Sequence, residues 1–303
     1  MRRLWTVFAL VGLLVSAACS DSDDESSGPV AADGVRIASF DFAESQLLAE
    51  LYGQVIEAND LPVVRMGSIG PREVVAPSLE VDRIDLVPEY LGTALQFFGS
   101  PTTDPDTTTS KAALADLVAG RGLAALDAAA AQDANAVVVT RELAADLDLA
   151  RISDLSAYAA DLRFGGPVEC PDRPLCLVGL VEVYGLSFAE FVPQRSLAVT
   201  AEALRRDEID VGLMFTTAPQ LDETEFVELD DDLGLQPAEN VIPLVRESAL
   251  DRWGPGVAAA LDGLSAVLTT DELREMNRLV DDGTEIAAVA SSWLRAQGLV
   301  PPG

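Results

Sequence analysis

The stretch at residues 35–88 decides the fold that this sequence predicts, and it reads VRIASFDFAESQLLAELYGQVIEANDLPVVRMGSIGPREVVAPSLEVDRIDLVP. The stretch begins with alternating residues, which predict a strand. Apolar residues at helical spacing follow at 44–58 and predict a helix. A second strand at 62–66 leads to a helix that Pro71 opens, and a third strand occupies 84–88. The order strand, helix, strand, helix, strand predicts an α/β fold with a parallel sheet and a ligand crevice at the carboxyl ends of its strands.

Beyond this stretch the sequence predicts a linker, a surface helix and a second alternating unit. The linker at 101–109 is rich in Pro, Asp and Thr, and the alanine-rich stretch at 112–131 is typical of a helix. Predicted helices of the second unit lie near 141–145, 177–184 and 200–206, and its strands lie near 162–164 and 209–215.

Two apolar strands, at 136–140 and 241–245, bracket the second unit. We interpret them as a two-strand hinge between a discontinuous first lobe, at 35–135 and 246–303, and an inserted second lobe at 136–245. Small-molecule sites concentrate in crevices between domains. The sequence therefore predicts a ligand site in the cleft between the two lobes.

Composition excludes several classes of function. Lys and Arg number 20 and Asp and Glu number 50, so the formal net charge is −30, which repels phosphate backbones and anionic lipid surfaces. The chain contains no histidine, which removes Ser-His-Asp and Cys-His nucleophiles and the HExxH zinc motif. The Gly-x-Ser-x-Gly nucleophile motif is also missing. We therefore expect no enzyme, no cofactor, no metal site and no nucleic-acid partner.

The N-terminus has the layout of an export signal. Two arginines precede an apolar run at 4–15, and small residues follow, which predicts a signal peptide at 1–18. Cys19 then resembles the lipidated cysteine of bacterial lipoproteins, although Ser16 stands where their motif usually has Leu, so cleavage without lipidation is the alternative. Residues 19–34 are polar and acidic and predict a flexible tether. We expect a protein anchored to the outer face of the cell membrane.

The other two cysteines, Cys170 and Cys176, lie close together in a loop that contains two prolines. In an exported protein this arrangement predicts a disulfide. Zinc is the poorer alternative, because the spacing does not fit and no histidine completes a ligand set.

Several strings carry a resemblance to a known family. They are FAESQLLAELY at 42–52, GPREVV at 70–75, IDLVPEYLGT at 84–93, QDANA at 132–136, IDVGLMFTT at 209–217 and GLQPAEN at 234–240. Together they closely resemble the substrate-binding proteins of osmoprotectant ABC transporters, whose ligands are glycine betaine, carnitine and choline. The resemblance covers roughly 35–247 in the same order. It implies a two-lobed type II periplasmic-binding-protein fold that closes on a ligand and presents it to a membrane permease.

The family holds quaternary ammonium ligands in a cage of aromatic rings. Tyr90 matches the family's Pro-Glu-Tyr motif, but other cage tyrosines correspond here to Val87, to Asn135 and to a position near Leu177. A cation needs compensation when it loses its water, so carboxylates must replace the missing rings. The candidates are Asp41, Glu44, Glu89 and Asp133. Ergothioneine, an amino-acid derivative or another small zwitterion therefore competes with glycine betaine as the ligand.

Candidate ligand-binding residues follow predicted strands, open predicted helices, precede the strand at 136–140 or lie in the cysteine loop. They are Ser39, Phe40, Asp41, Glu44, Gly70, Arg72, Glu89, Tyr90, Gly92, Thr93, Asp133, Asn135, Arg173, Phe215, Thr216 and Thr217. Gly70 precedes a helix start, whose free N–H groups favour the anionic end of a ligand, and Gly92 allows close approach.

Some of these residues have an equally plain structural interpretation. Asp41 is also a candidate helix N-cap, and Phe215 a candidate core residue. Arg72 is a candidate partner of its neighbour Glu73, and Arg173 of Glu169 in the cysteine loop.

The sequence thus predicts a monomeric, non-enzymatic binding protein of an ABC importer. Its partners are a small quaternary amine or zwitterion and the transporter's permease, and it meets the membrane only through a lipid anchor. A ligand sensor without transport is the alternative.

Overall fold

The computed structural model describes residues 33–100, 104, 106–222 and 224–301. The predicted signal peptide, Cys19 and nearly all of the predicted tether lie outside the described residues. Within the described ranges, no helix is both long enough and apolar enough to cross a bilayer.

The described chain alternates strands and helices. The strands are β1 (Val35–Ser39), β2 (Val63–Ser68), β3 (Leu86–Tyr90), β4 (Leu123–Ala125), β5 (Asn135–Thr140), β6 (Arg163–Pro167), β7 (Glu190–Gln194), β8 (Val211–Phe215), β9 (Phe226–Leu229) and β10 (Val241–Arg246). The helices are α1 (Ala43–Glu57), α2 (Arg72–Glu80), α3 (Leu91–Phe98), α4 (Thr107–Ala119), α5 (Arg141–Leu147), α6 (Leu177–Glu182), α7 (Leu197–Arg205), α8 (Glu247–Trp253), α9 (Pro255–Ser265), α10 (Thr270–Asp281) and α11 (Ile286–Ala296).

The first sheet has the order β2-β1-β3-β10-β4. Strand β1 pairs in parallel with β2 and β3, and β10 pairs antiparallel with β3 and β4. Helix α1 forms as its periodicity predicts, because Leu47, Leu51, Val55 and other apolar residues at this spacing are all buried in one core with the sheet. The C-terminal helices α8 to α11 add residues to the same core.

The second sheet has the order β7-β6-β8-β5-β9. Strand β6 pairs in parallel with β7 and β8, whereas β5 pairs antiparallel with β8 and β9. The predicted α/β architecture with two alternating units is therefore confirmed.

The two strands predicted to form a hinge do not lie side by side. Strand β5 belongs to the second sheet and β10 to the first, because Val241 to Val245 pair with β3 and are buried in the first core. The chain passes between the sheets at residues 126–134 and 230–240, which we call the crossing segments. They are joined by a bridge between Gln132 and Asn240 and by a hydrogen bond from the Asp133 N–H to the Glu239 carbonyl. The second unit thus ends after β9, earlier than the predicted boundary at 245.

The alanine-rich stretch differs from the predicted helix. Helix α4 begins within the predicted linker, where the Asp106 carboxylate accepts a 2.8 Å hydrogen bond from the Thr109 N–H. It ends at Ala119, because Gly120 caps it and Gly122 turns the chain with φ +70°. The next residues form β4 against β10.

The predicted disulfide between Cys170 and Cys176 is present, with a Cα–Cα distance of 5.3 Å. Both cysteines are buried in the core of the second unit. The described residues contain no cluster of acidic, cysteine or histidine side chains that could hold a metal ion.

Candidate functional site

Two cavities lie between the sheets and share the ring of Phe215 as a wall. The acidic cavity measures about 450 Å³, and its lining includes Phe42, Glu44, Asp133, Phe215, Thr217 and Asn277. The loop cavity measures about 270 Å³, and its lining includes Thr93, Gln96, Asn135, Glu169, Arg173 and Phe215. Each cavity therefore has walls from both parts of the fold.

Glu44 is the buried carboxylate at the start of α1. The Tyr90 hydroxyl donates to its Oε1 at 2.6 Å, and the Asn277 amide donates to its Oε2 at 2.6 Å. Burial raises the pKa of Glu44, although the hydrogen bonds from Tyr90 and Asn277 oppose that rise. Burial and the nearby Glu44 carboxylate also raise the pKa of Tyr90 well above its ordinary value. Tyr90 thus serves as a neutral donor behind the cavity.

Asp133 is the second carboxylate of the acidic cavity and lies on the first crossing segment. The Thr217 hydroxyl donates to its Oδ1 at 2.8 Å. Desolvation and the neighbouring Glu44 charge raise the pKa of Asp133 well above its usual range. The structure therefore brings the predicted residues Glu44, Tyr90, Asp133 and Thr217 together at one cavity.

Aromatic rings form part of the same wall. Phe42 stacks on Phe40 with ring centroids 5.9 Å apart and on Tyr90 at 6.1 Å. Phe42 is 42% exposed and Phe215 is 37% exposed, although both rings are large and apolar. Phe215 is thus not the core residue of the alternative interpretation. Phe42 was missed among the site candidates, although it opens the string at 42–52 that carries the family resemblance.

Arg72 and Glu89 belong to an internal cluster. The Arg72 guanidinium donates to the fully buried Glu89 carboxylate at 2.9 Å and to the Thr93 hydroxyl at 2.9 Å, and it lies 5.1 Å from the centroid of the Phe40 ring. The Thr93 N–H donates to Glu239 Oε2 at 3.1 Å. Glu89 is thus neutralised by Arg72 rather than left free for a ligand cation, and Arg72 does not take Glu73 as its partner.

Glu239 is the carboxylate of this cluster that sequence reasoning missed, although it lies in the string at 234–240. Burial raises its pKa to about 7, whereas the backbone hydrogen bond from Thr93 and the charge of Arg72 oppose the rise. We call Arg72, Glu89, Thr93 and Glu239 the internal cluster.

Gly92 allows a close approach by another part of the chain. A Cβ at this position would lie 2.6 Å from Cγ of Pro237 on the second crossing segment. Gly70 has φ +124°, a conformation that favours glycine, and it directs the chain into α2.

The residues at the end of β1 differ in their exposure. Ser39 and Phe40 are buried, and Asp41 is exposed. Asp41 is not the N-cap of α1, because Phe42 holds that position without a capping side chain. Of this group, Phe40 contributes to the site indirectly, through the rings of Phe42 and Tyr90.

Asn135 holds the disulfide loop in place. Its Nδ2 donates to the Leu175 carbonyl at 2.9 Å and to Gln236 Oε1 at 3.2 Å. Arg173 in that loop is exposed and lines the loop cavity, and among the described residues its guanidinium has neither an ion pair nor a hydrogen bond. The alternative pairing with Glu169 does not form.

Thr216 and Thr217 play different parts after β8. The Thr216 hydroxyl donates to the Gln132 carbonyl at 2.7 Å and accepts from the Ala134 N–H at 3.0 Å, so it fastens the crossing segment. Thr217 instead faces the acidic cavity.

Helix α10 supplies residues that no sequence motif indicated. It packs in the first core, yet Asn277 donates at 3.2 Å to the Thr217 carbonyl, and Arg274 donates at 2.7 Å to the Thr216 carbonyl. Both are polar residues on an amphipathic helix, so their spacing is also typical of a solvated face. Their role depends on tertiary packing that the sequence pattern does not contain.

Comparison with known proteins gives one consistent family. The family model described as the substrate binding domain of the ABC-type glycine betaine transport system matches residues 33–296. The glycine betaine-binding protein YehZ of Escherichia coli is 24% identical over 285 residues, which cover 88% of this chain and 92% of that protein.

Solved structures show the same fold. A structure described as a glycine betaine/carnitine/choline ABC transporter superposes with a TM-score of 0.80 at 21% identity, covering 88% of this chain and 99% of that chain. Apo YehZ from Escherichia coli superposes with a TM-score of 0.75 at 23% identity, covering 89% and 100%. These similarities confirm the predicted type II periplasmic-binding-protein fold.

Proposed function

The chain belongs to the family of substrate binding domains of ABC-type glycine betaine transport systems, and from this premise we propose that it binds a small zwitterion between its two sheets. Proteins of this family act outside the cytoplasm as the ligand-binding component of an importer. The ligand leaves this protein chemically unchanged, so no catalysis is involved, and the permease of the transporter receives it.

The acidic cavity is the observation that carries this proposal. Glu44 and Asp133 face the same space as the exposed rings of Phe42 and Phe215. Aromatic faces and carboxylates both compensate a cation that has lost its water. Because no Lys or Arg belongs to the described lining of this cavity, the cationic end of the ligand supplies the missing positive charge.

The loop cavity accounts for the other end of the ligand. Arg173 lines it, and a guanidinium with no partner in the described part of the chain suits a carboxylate. Phe215 separates the two cavities, so a ligand that touches both places its cationic and anionic ends on either side of this ring. This polarity favours a zwitterion such as glycine betaine over choline, which has no carboxylate.

Thermal unfolding in the presence of glycine betaine, carnitine and choline tests the ligand class. Binding to the folded state alone raises its stability, by about 2.7 kcal/mol when the ligand is at a hundredfold excess over its Kd. We expect the two zwitterions to raise the melting temperature more than choline does, because only they engage Arg173. A shift with choline alone would contradict this assignment, and no shift with any of the three would contradict the ligand class.

Attachment through Cys19 is a separate part of the proposal, since that residue lies outside the described range. Lipidated protein partitions into the membrane fraction, and Cys19→Ser should move it to the soluble fraction of the same cells. Cys170→Ser serves as the control, because loss of the disulfide should not change the partition of folded protein. Wild-type protein found only in the soluble fraction would favour cleavage without lipidation.

A further inference from the structure

We propose that Asp133 in the acidic cavity holds one proton before a ligand binds and that the cationic group of the ligand displaces it. This inference rests on the proposed function, because it concerns the same cavity. It assigns Asp133 as the counter-ion of the ligand, and it makes loading of the protein a cation-for-proton exchange.

Glu44 is the partner that remains ionised. Both of its oxygens accept hydrogen bonds, one from the Tyr90 hydroxyl and one from the Asn277 amide. An amide N–H can only donate a hydrogen bond. A hydrogen bond donated to a carboxylate oxygen stabilises the ionised form of the carboxyl group. The arrangement around Glu44 therefore fits a carboxylate.

Asp133 has the opposite arrangement. Its Oδ1 accepts from Thr217, whereas its Oδ2 has no hydrogen-bond partner within the part of the chain that the structure describes. The Thr217 hydroxyl has a single proton, so it cannot donate to Glu44 and Asp133 at once. Two nearby carboxylates with limited water do not both ionise readily, and a proton on Oδ2 removes the repulsion.

The surrounding charges act in the same direction. Among the described residues, the ionisable groups that face Asp133 or the cavity are acidic or neutral, namely Glu44 on α1, Tyr90 on β3, Glu239 on the second crossing segment and Asp281 on α10. Arg274 and Arg72 are already engaged by carboxylates of the chain. Arg274 on α10 pairs with Asp222 and Asp271, and Arg72 pairs with Glu89.

The exchange balances without any further reactant. The cationic group approaches Oδ2, the O–H bond of Asp133 breaks, the proton passes to solvent through the open cavity, and the carboxylate pairs with the cation. Affinity for a cation should therefore rise with pH, by up to about tenfold per pH unit while Asp133 is protonated in the empty protein.

Titration calorimetry of the purified protein measures the exchange directly. Choline, glycine betaine and carnitine are injected at pH 7 in phosphate, HEPES and Tris, and the dependence of the observed heat on buffer ionisation gives the number of protons released. We expect a net release of protons on binding, of at most one per bound ligand. A neutral isostere of choline, 3,3-dimethylbutanol, should bind more weakly and release none.

Two variants locate the proton. Asp133→Asn should reduce the release to near zero, whereas Asp251→Asn should leave it unchanged, because that carboxyl is exposed on α8 and lines neither cavity. If Asp133→Asn does not fold or bind, the pH series of wild-type protein decides instead, since its association constant for choline must rise between pH 5 and 8.

The outcomes separate this inference from the proposed function. Ligand binding with no proton release and no pH dependence would overturn the exchange and leave the binding function intact. Undiminished release from Asp133→Asn would also overturn it, because the proton would lie elsewhere. No binding of any of the three ligands would overturn the proposed function and the exchange together.

Discussion

Glu89 and Glu239 of the internal cluster, and Glu44 and Asp133 of the acidic cavity, are two pairs of carboxylates that differ in the origin of the positive charge. In the internal cluster the cation is part of the protein, because Arg72 pairs with the fully buried Glu89. In the acidic cavity Glu44 and Asp133 have only neutral donors around them in the described chain. A buried carboxylate therefore indicates a ligand only where the chain has not already supplied its counter-ion.

The strongest test of the contrast between the two regions removes the guanidinium of the internal cluster. Arg72→Met leaves the Glu89 carboxylate buried without compensation, so we expect a loss of about 3–5 kcal/mol in the free energy of unfolding. Urea unfolding monitored by circular dichroism measures it. Arg65→Met is the matched control, since Arg65 is 40% exposed and pairs with Glu50 and Glu57 at the surface.

For Arg65→Met the expected loss is about 1 kcal/mol or less. Equal losses for the two variants would show that the Arg72 pair is no more important than a surface pair, and the contrast between the two regions would fail.

The pH dependence of stability provides the next test of the contrast between the two regions. The pKa of Glu239 rises from 4.5 in a free side chain to about 7 in the fold, so the folded state retains a proton that the unfolded chain loses. This contribution is complete below about pH 4.5 and is lost as the pH rises to about 7, with a total of up to about 3 kcal/mol.

Glu239→Gln cannot ionise and should lack this component. The difference in unfolding free energy between wild type and variant, measured at pH 5 and pH 8, should shift in favour of the variant at the higher pH. A difference that does not change with pH would mean that Glu239 is already ionised at pH 5 in the fold.

A third test compares Arg173 at the loop cavity with Arg72 in the internal cluster. Arg173→Ala should change the free energy of unfolding by about 0.5 kcal/mol or less, because this exposed guanidinium has no partner in the described chain. It should weaken binding of glycine betaine by about tenfold or more and leave that of choline nearly unchanged, because only glycine betaine has a carboxylate for it to hold. Calorimetry measures the affinity for each ligand. An equal loss of affinity for glycine betaine and choline would mean that Arg173 contributes packing rather than a contact with the carboxylate.

Much of the fold could be predicted from the sequence, because it depends on local periodicity and on a family resemblance that the comparisons confirm. The alternation at 35–88 correctly predicted strands β1, β2 and β3 of the first sheet, and the two close cysteines formed their disulfide. The end of α4 at Ala119 was missed, because alanine composition favours a helix more strongly than Gly120 and Gly122 argue against one.

Part of the candidate site could also be predicted from the sequence, from the positions of residues next to strand ends. Tyr90 ends β3, Glu44 lies at the start of the helix that follows β1, and Asp133 lies just before β5, so positions next to strand ends came together at one place. The pairing of Arg72 with Glu89 and the contact of Asn277 with Glu44 depend on how helices pack on the sheets, and no sequence spacing encodes that. That these residues bind a ligand stays a prediction.

Helix α10 follows every strand in chain order, yet it provides one wall of the acidic cavity. During synthesis, both sheets can thus be complete before the amide of Asn277 has left the ribosome. A product that stops after β10 would contain the ten strands that the structure describes and would leave one oxygen of Glu44 without its donor. If the acidic cavity binds the ligand as we propose, competence to bind is acquired late and distinguishes finished molecules from truncated ones.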